Sequence, residues 1–148
     1  MGKKVTYERW VDVFLPDGWS DREEMGSVLL EKENWPGIVQ LSFIERDETA
    51  TPPAEAAKIL LEDTLEDRDV PFPREAIRTE NRADTGLAVI DYTDTASKDP
   101  THWRIWFLAD KTRAIMAAYI CDSKHDGLQI EEASRIIADL EFIPSTSA

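Results

Sequence analysis

Carboxylates are the most abundant side chains in this sequence that can do chemistry. The chain has 30 Asp and Glu among 148 residues, so acids lie close together in many places by chance. General acid–base catalysis needs one carboxyl group in an apolar pocket beside a second that stays ionised. Asp91, within the apolar run Val89-Ile90-Asp91-Tyr92, is the best candidate for the first role. An outward-facing aspartate on a strand is the simpler interpretation, and the sequence does not give its distance to a partner.

Motifs for other kinds of chemistry are missing or incomplete in the sequence. There is no Gly-x-Gly-x-x-Gly loop, Walker loop, Gly-x-Ser-x-Gly elbow or His-Glu-x-x-His helix. Cys121 and His125 are four residues apart, as two metal ligands on a helix would be. However, this segment leaves a predicted strand, and no second Cys or His lies near it in sequence. We therefore predict no catalytic residues, no metal site and no cofactor.

The five tryptophans are more informative than the acids. Trp103 and Trp106 lie on opposite faces of one predicted strand, because strand side chains alternate. If Trp103 enters the core, Trp106 faces a second surface that either a helix or a partner covers. Trp35 lies in a Pro-Gly turn and is the one most expected to be exposed, whereas Trp19 follows a turn and is more simply a core residue. Because aromatic side chains are enriched at binding hot spots, we name Trp35, Trp106 and Trp19 as candidate binding residues.

One face of a predicted helix is strongly acidic. It contains Glu62 and Glu66 together with Asp63 and Asp67, and Asp69 follows it. Such a face is usually only solvated surface. The alternative is a docking face for a basic partner, with association accelerated at low salt. We therefore add Glu62 and Glu66 to the candidate binding residues.

The composition excludes several classes of protein. A formal net charge of −13 and an isoelectric point near 4.5 argue against binding to nucleic acid, which requires Lys and Arg to replace counterions. The single cysteine excludes an intrachain disulfide framework. There is no apolar stretch of membrane-spanning length and no complete secretory signal. We expect an acidic, soluble bacterial protein that is cytoplasmic, or else the mature part of an exported one.

The order of predicted elements indicates an α+β fold. Alternation and turn residues predict strands over residues 11–15, 28–31 and 39–43, a polar turn over 20–25, and a helix capped by Thr51 that ends near Asp67. Four strands follow over 76–82, 87–93, 103–109 and 114–121, the last two joined by a short hairpin. The last helix begins at Asp126, with Gln129 as its capping-box partner, and residues 140–143 allow a short closing strand.

These elements predict one domain over residues 1–148, with a core from about residue 7 to 144 and flexible ends. The expected architecture is a single antiparallel sheet of about six to seven strands with two main helices packed on it.

The turn Pro16-Asp17-Gly18-Trp19, the order of elements and the C-terminal helix that runs into residues 139–142 resemble the PsbP-like (Mog-type) domain family. The resemblance covers about residues 7–144. It implies an α/β sandwich, and it implies protein binding rather than catalysis, because relatives include a photosystem subunit, a Ran-binding protein and chaperones for transmembrane segments of secreted effectors. It implies no residue-level site.

We therefore expect a non-enzymatic protein-binding or adaptor module with an unidentified protein partner. Its specific version is a chaperone for an apolar segment of a secreted protein. Two alternatives stay open at this point: a small hydrolase or lyase that uses carboxylates such as Asp91, and a START-like carrier of a small molecule. The sequence leaves the oligomeric state open.

Overall fold

The computed structural model describes residues 2–7, 9–45, 51–68, 74–82, 84–94, 101–122 and 127–143. Within these ranges the chain forms ten strands, two helices and a single 3₁₀ turn at Arg74–Ala76. In chain order the strands and helices are β1 (Lys3–Tyr7), β2 (Val11–Leu15), β3 (Trp19–Glu24), β4 (Ser27–Lys32), β5 (Ile38–Glu45), α1 (Pro53–Asp67), β6 (Arg78–Asn81), β7 (Gly86–Asp94), β8 (Thr101–Ala109), β9 (Arg113–Asp122), α2 (Gly127–Ala138) and β10 (Glu141–Phe142).

The strands form two antiparallel sheets. The main sheet has seven strands in the order β3-β4-β5-β9-β8-β7-β6, and a small sheet has the order β1-β2-β10. The predicted α+β class, an antiparallel sheet of about six to seven strands with two helices packed on it, is confirmed by the main sheet, but the strands form two sheets and not one. The small sheet is an addition that the sequence did not predict, since β1 is a polar segment that carries two lysines.

The main sheet is covered on both sides, which gives the molecule three layers. On one side α1 packs on β6, β7 and β8 through Ala57, Leu61 and Leu65, which are fully buried. On the other side α2 and the small sheet enclose a larger cluster that includes Leu30, Leu41 and Tyr119. The helical spacing of the apolar residues in α1 and the alternation in β5 therefore place their apolar faces in two separate cores.

Of residues 20–25, predicted as a short polar stretch with one helical turn at most, residues 20–24 instead lie in strand β3. This prediction is wrong because β3 is an edge strand with only Trp19 buried, so its exposed polar residues give no apolar alternation. A two-residue connection follows, in which Met25 and Gly26 have φ of 51° and 83°. Two successive positive φ values are typical of the type I′ turns that close β-hairpins.

The predicted helix starts differ from the structure in how they are capped. Pro52 occupies the N-cap of α1, so the expected cap by Thr51 does not form. A proline at the start of a helix costs nothing there, because its missing N–H would have no partner in the helix. Asp126, Asp69 and His125 lie outside the described residues. The side chain of Gln129 is used for a different purpose, described below.

Candidate functional site

Trp35 lies in the connection between β4 and β5. Its ring is half-buried, and the Lys32 ammonium lies 3.9 Å from the ring centroid. Asn34 takes a left-handed conformation with φ of 67°, which asparagine tolerates better than most residues. The backbone N–H of Trp35 donates to the backbone carbonyl of Lys32 at 3.1 Å. The turn therefore stacks a cation on the tryptophan face, an arrangement that stabilises both side chains.

Helix α2 holds this turn through the side chain of Gln129, which is only 1% exposed. The Gly37 N–H donates to Gln129 Oε1 at 2.8 Å, and Gln129 Nε2 donates to the Gly37 carbonyl at 3.0 Å. The Tyr119 hydroxyl donates to the same Oε1 at 3.2 Å. A Cβ at position 37 would lie 2.6 Å from the Tyr119 hydroxyl oxygen, so only glycine fits there. The amide thus holds the turn to the helix at two backbone atoms.

Glu132, one turn further along α2, makes the second link to the same turn. Its carboxylate accepts from Lys32 Nζ at 2.8 and 3.0 Å and from Trp19 Nε1 at 3.3 Å. Burial alone raises the pKa of Glu132, but the hydrogen bonds from Lys32 and Trp19 outweigh it and lower the pKa below the ordinary value. Glu132 is therefore held ionised and connects the main sheet to α2.

The turn that carries Trp35 lines a cleft of about 550 Å³, which we call the Trp35 pocket. It is open to solvent and is lined by Gly18, Trp19, Ser20 and residues 31–35. The volume falls within the roughly 300–1,000 Å³ of ligand clefts. Its chemistry is an indole face, one ammonium group and the carboxylates of Glu31 and Glu33. This set suits contact with a polar or aromatic group.

The structure brings two of the five predicted binding residues together in this pocket. Trp35 forms its rim, and Trp19 is 5% exposed in the core with its N–H bonded to Glu132. Trp106 is 4% exposed and lies in the core beneath α2 and the small sheet. The interpretation in which the second sheet surface is covered is the one that the structure shows. An exposed anchor at Trp106 is excluded in this conformation.

The acidic residues of the predicted set lie elsewhere. Glu62 is half-buried and Glu66 is exposed on α1, which packs on the opposite side of the main sheet from α2. They therefore share no surface with Trp35. The sequence analysis missed the roles of Lys32 and Glu132, because their contact joins residues 100 positions apart.

Solved structures are similar to this chain over nearly its whole length. Cyanobacterial PsbP from Synechocystis sp. has a TM-score of 0.68 at 6% identity, covering 95% of this chain and 92% of that one. The Ran-binding protein Mog1p of Saccharomyces cerevisiae has a TM-score of 0.58 at 9% identity, covering 97% and 96%. The chain has a PsbP/Mog-like fold. This confirms the resemblance carried by the Pro16–Trp19 turn and the element order.

A protein from Bacteroides thetaiotaomicron is also similar, with a TM-score of 0.71 at 17% identity. The match covers 99% of this chain, which spans half the length of that protein. No protein-family model and no curated protein matches the sequence. The likeness is therefore one of fold, and the site must be argued from its own geometry.

Asp91, the candidate acid, lies among charged groups in the PsbP/Mog-like fold. Arg104 donates to both of its carboxylate oxygens, with Nη2 at 2.9 Å from Oδ2, and Arg78 Nη2 lies 3.4 Å from the same oxygen. Arg104 also donates to Ser134 Oγ at 2.7 Å and so ties β8 to α2. A carboxylate between two guanidinium groups is not in the apolar pocket that a general acid needs.

The other chemical alternatives find no support in the described geometry. In the part of the chain that the structure describes, no three His, Cys, Asp or Glu side chains gather as metal ligands. Cys121 is a buried residue at the end of β9.

Neither described helix is long and apolar enough to cross a membrane. The Trp35 pocket opens to solvent, so it is not the enclosed cavity expected of a START-like carrier.

Proposed function

We propose that this chain is a non-enzymatic protein-binding module that contacts its partner through the Trp35 pocket. The observation that carries the proposal is the double link between α2 and the Trp35 turn, made by Gln129 and Glu132. A side chain already held in its bound orientation loses little conformational entropy on binding. Rigid tryptophans are also frequent hot spots. The Ran-binding name of one neighbour with this fold supports a protein partner.

Site-specific photo-crosslinking tests this proposal. The photoreactive residue p-benzoylphenylalanine replaces Trp35 in one variant and Met25 in a control, and both proteins are irradiated in an extract of the source cells. Met25 is fully exposed at the β3–β4 turn, so it reports random collisions. We expect a protein adduct from position 35 that excess wild-type chain suppresses and excess Trp35→Ala does not. Equal labelling at both positions, or no competition by the wild type, would refute the proposal.

A chaperone-like role toward an apolar segment is a second candidate, supported by the α1 side of the main sheet. Leu29, Ile38, Met116 and Ile120 are half-buried there. The register pairs Ile38 with Ile120 and Leu29 with Gln40, so these side chains share one face. Helix α1 packs on β6, β7 and β8, at the other half of the same face. An apolar peptide laid beside α1 would bury these groups from water.

A solubility assay tests this second candidate. A 20-residue peptide of leucine and alanine, of about the length that spans a bilayer, is diluted into buffer with the chain, and light scattering reports its aggregation. We expect wild-type chain to suppress the scattering and Ile38→Asp to lose that effect. Thr79→Asp, on the exposed strand β6, is the matched control. Equal suppression by both variants would exclude the Ile38 face.

A further inference from the structure

A second cleft lies between the small sheet and the end of α2. It has a volume of about 420 Å³, and its walls include Lys3 and Lys4 from β1, Phe14 from β2, and Arg135 and Asp139 from the end of α2. We call it the Lys4 cleft. Its volume is within the roughly 300–1,000 Å³ typical of ligand clefts. It is separate from the Trp35 pocket, with which it shares no lining residue.

The charge of the Lys4 cleft is opposite to that of the chain. Three cations and one carboxylate line it, whereas the whole sequence has 17 Lys and Arg against 30 Asp and Glu. Lys3 pairs with Asp21 at 3.4 Å. Lys4 and Arg135 make no ion pair with any residue that the structure describes. Lys4 and Arg135 are therefore exposed cations without an ion pair, although Arg135 also interacts electrostatically with Glu132 on its own helix.

The helix dipole explains part of this arrangement. Arg135 lies in the last turn of α2, where a cation is stabilised by the negative end of the dipole. That explanation does not apply to Lys4, which lies on a strand. Lys4 is the direct cross-strand neighbour of Phe14 in the β1–β2 register. The register of β1 and β2 therefore places the ammonium group of Lys4, which has no ion pair, next to the ring of Phe14.

Phe14 is the apolar part of the cleft. It is 38% exposed, although its neighbours Val13 and Leu15 in β2 are almost completely buried. Among the described residues it is the only aromatic side chain that is exposed to this degree. The outward position of a strand that packs on the core normally carries a polar residue. The cleft thus combines Phe14 and Lys4, on the outward face of the small sheet, with Arg135 at the end of α2.

We propose that the Lys4 cleft binds an acidic segment of a partner protein, with carboxylates against Lys4 and Arg135 and one apolar side chain against Phe14. Charge complementarity identifies the occupant, because a basic segment would bring like charges together. The net charge of −13 does not prevent this contact, since the screening length is about 8 Å at physiological salt and distant carboxylates are screened. The inference does not depend on the Trp35 pocket.

A peptide titration followed by amide NMR shifts tests the inference on the full chain. The probe is acetyl-Asp-Glu-Leu-Glu-Asp-amide, and two comparison peptides replace leucine with glycine or all four acids with lysine. We expect shifts at β1, β2 and the end of α2. Loss of the leucine should weaken binding by about tenfold, the lower end of the effect of burying one such side chain. The lysine peptide should leave these shifts unchanged.

Matched variants distinguish binding in the Lys4 cleft from a general effect of the net charge of the chain. We expect Lys4→Glu and Arg135→Glu each to weaken binding by at least about fivefold, and Phe14→Ser to abolish the preference for leucine over glycine. Lys58→Glu makes the same charge change on α1, across the main sheet, and should have no effect. Equal weakening by Lys58→Glu, shifts confined to the Trp35 pocket, or no shift at millimolar peptide would each overturn the inference. Lys4→Ala serves as a milder variant if Lys4→Glu perturbs the fold.

Discussion

Replacing Gln129 with leucine removes the side chain that holds the Trp35 turn to α2. Leucine is similar in size but forms no hydrogen bond, so the N–H and carbonyl of Gly37 lose their partner amide. Each buried polar group left without a partner costs about 1–3 kcal/mol. The two groups together predict a loss of about 2–6 kcal/mol, a large part of the roughly 5–15 kcal/mol by which domains are stable.

Urea unfolding followed by tryptophan fluorescence measures this loss. With a dependence of about 2 kcal/mol per molar urea, the midpoint should fall by roughly 1–3 M in Gln129→Leu. Gln40→Leu is the control, because Gln40 is half-buried and its amide makes one bond, to Ser27 Oγ at 3.3 Å. It should cost less than about 1 kcal/mol. A loss below about 1 kcal/mol in Gln129→Leu, with an unchanged urea slope, would show that the turn does not depend on this amide.

Three further predictions concern the elements around the site. In Gly86→Ala the new Cβ would lie 2.0 Å from the backbone nitrogen of Ala54, so α1 must shift, and thermal unfolding should show a loss of about 1–3 kcal/mol or more. The lowered pKa of Glu132 means that its bond to Lys32 stabilises the fold above the ordinary value of 4.5, and urea midpoints should show that this stability is lost as the pH falls through the folded-state pKa. Burial raises the pKa of Tyr7 above its ordinary value of 10.0, so its contribution is complete below that pH and is lost as the pH rises further, as absorbance titration of the phenol will show.

Each of these predictions has a matched comparison. Gly26→Ala introduces a Cβ into open space at φ of +83°, so it should cost only about 1–2 kcal/mol of backbone strain. Glu131→Gln, on the exposed side of α2, should leave the loss of stability at acid pH unchanged. Glu132→Gln should make that loss smaller. Tyr7→Phe should remove the loss of stability that ionisation of Tyr7 causes at alkaline pH. If Gly26→Ala is as damaging as Gly86→Ala, close packing of α1 is not the reason for glycine at position 86.

The periodic elements of this protein were predictable because each follows from local chemistry. The alternation of Val39, Leu41 and Phe43 predicted β5, and the spacing of Ala57, Leu61 and Leu65 predicted α1. Strands β1 and β3 were missed because both lie at sheet edges and present polar side chains to water. Their pairing is decided by backbone hydrogen bonds, which leave no mark on the sequence pattern.

The candidate site was only partly predictable. The Pro-Gly context placed Trp35 in a turn, and the Pro16–Trp19 turn carried the resemblance to the fold. The same reasoning did not decide whether Trp106 is covered or exposed. Strand alternation shows that Trp103 and Trp106 face opposite sides of the sheet, but it does not show what packs on each side. The structure covers Trp106 with α2 and the small sheet.

Local patterns in the amino-acid sequence were enough to predict the α+β class, the two helices, the excess of acidic residues and the absence of motifs for phosphate binding and nucleophilic catalysis. The tertiary structure decided which polar residues work together. Gln129 reaches Gly37 across 92 positions and Glu132 reaches Lys32 across 100, while Lys4 meets Phe14 through strand register. Contacts of this kind depend on how helices and strands pack, and packing distance is not encoded in the local spacing of residues.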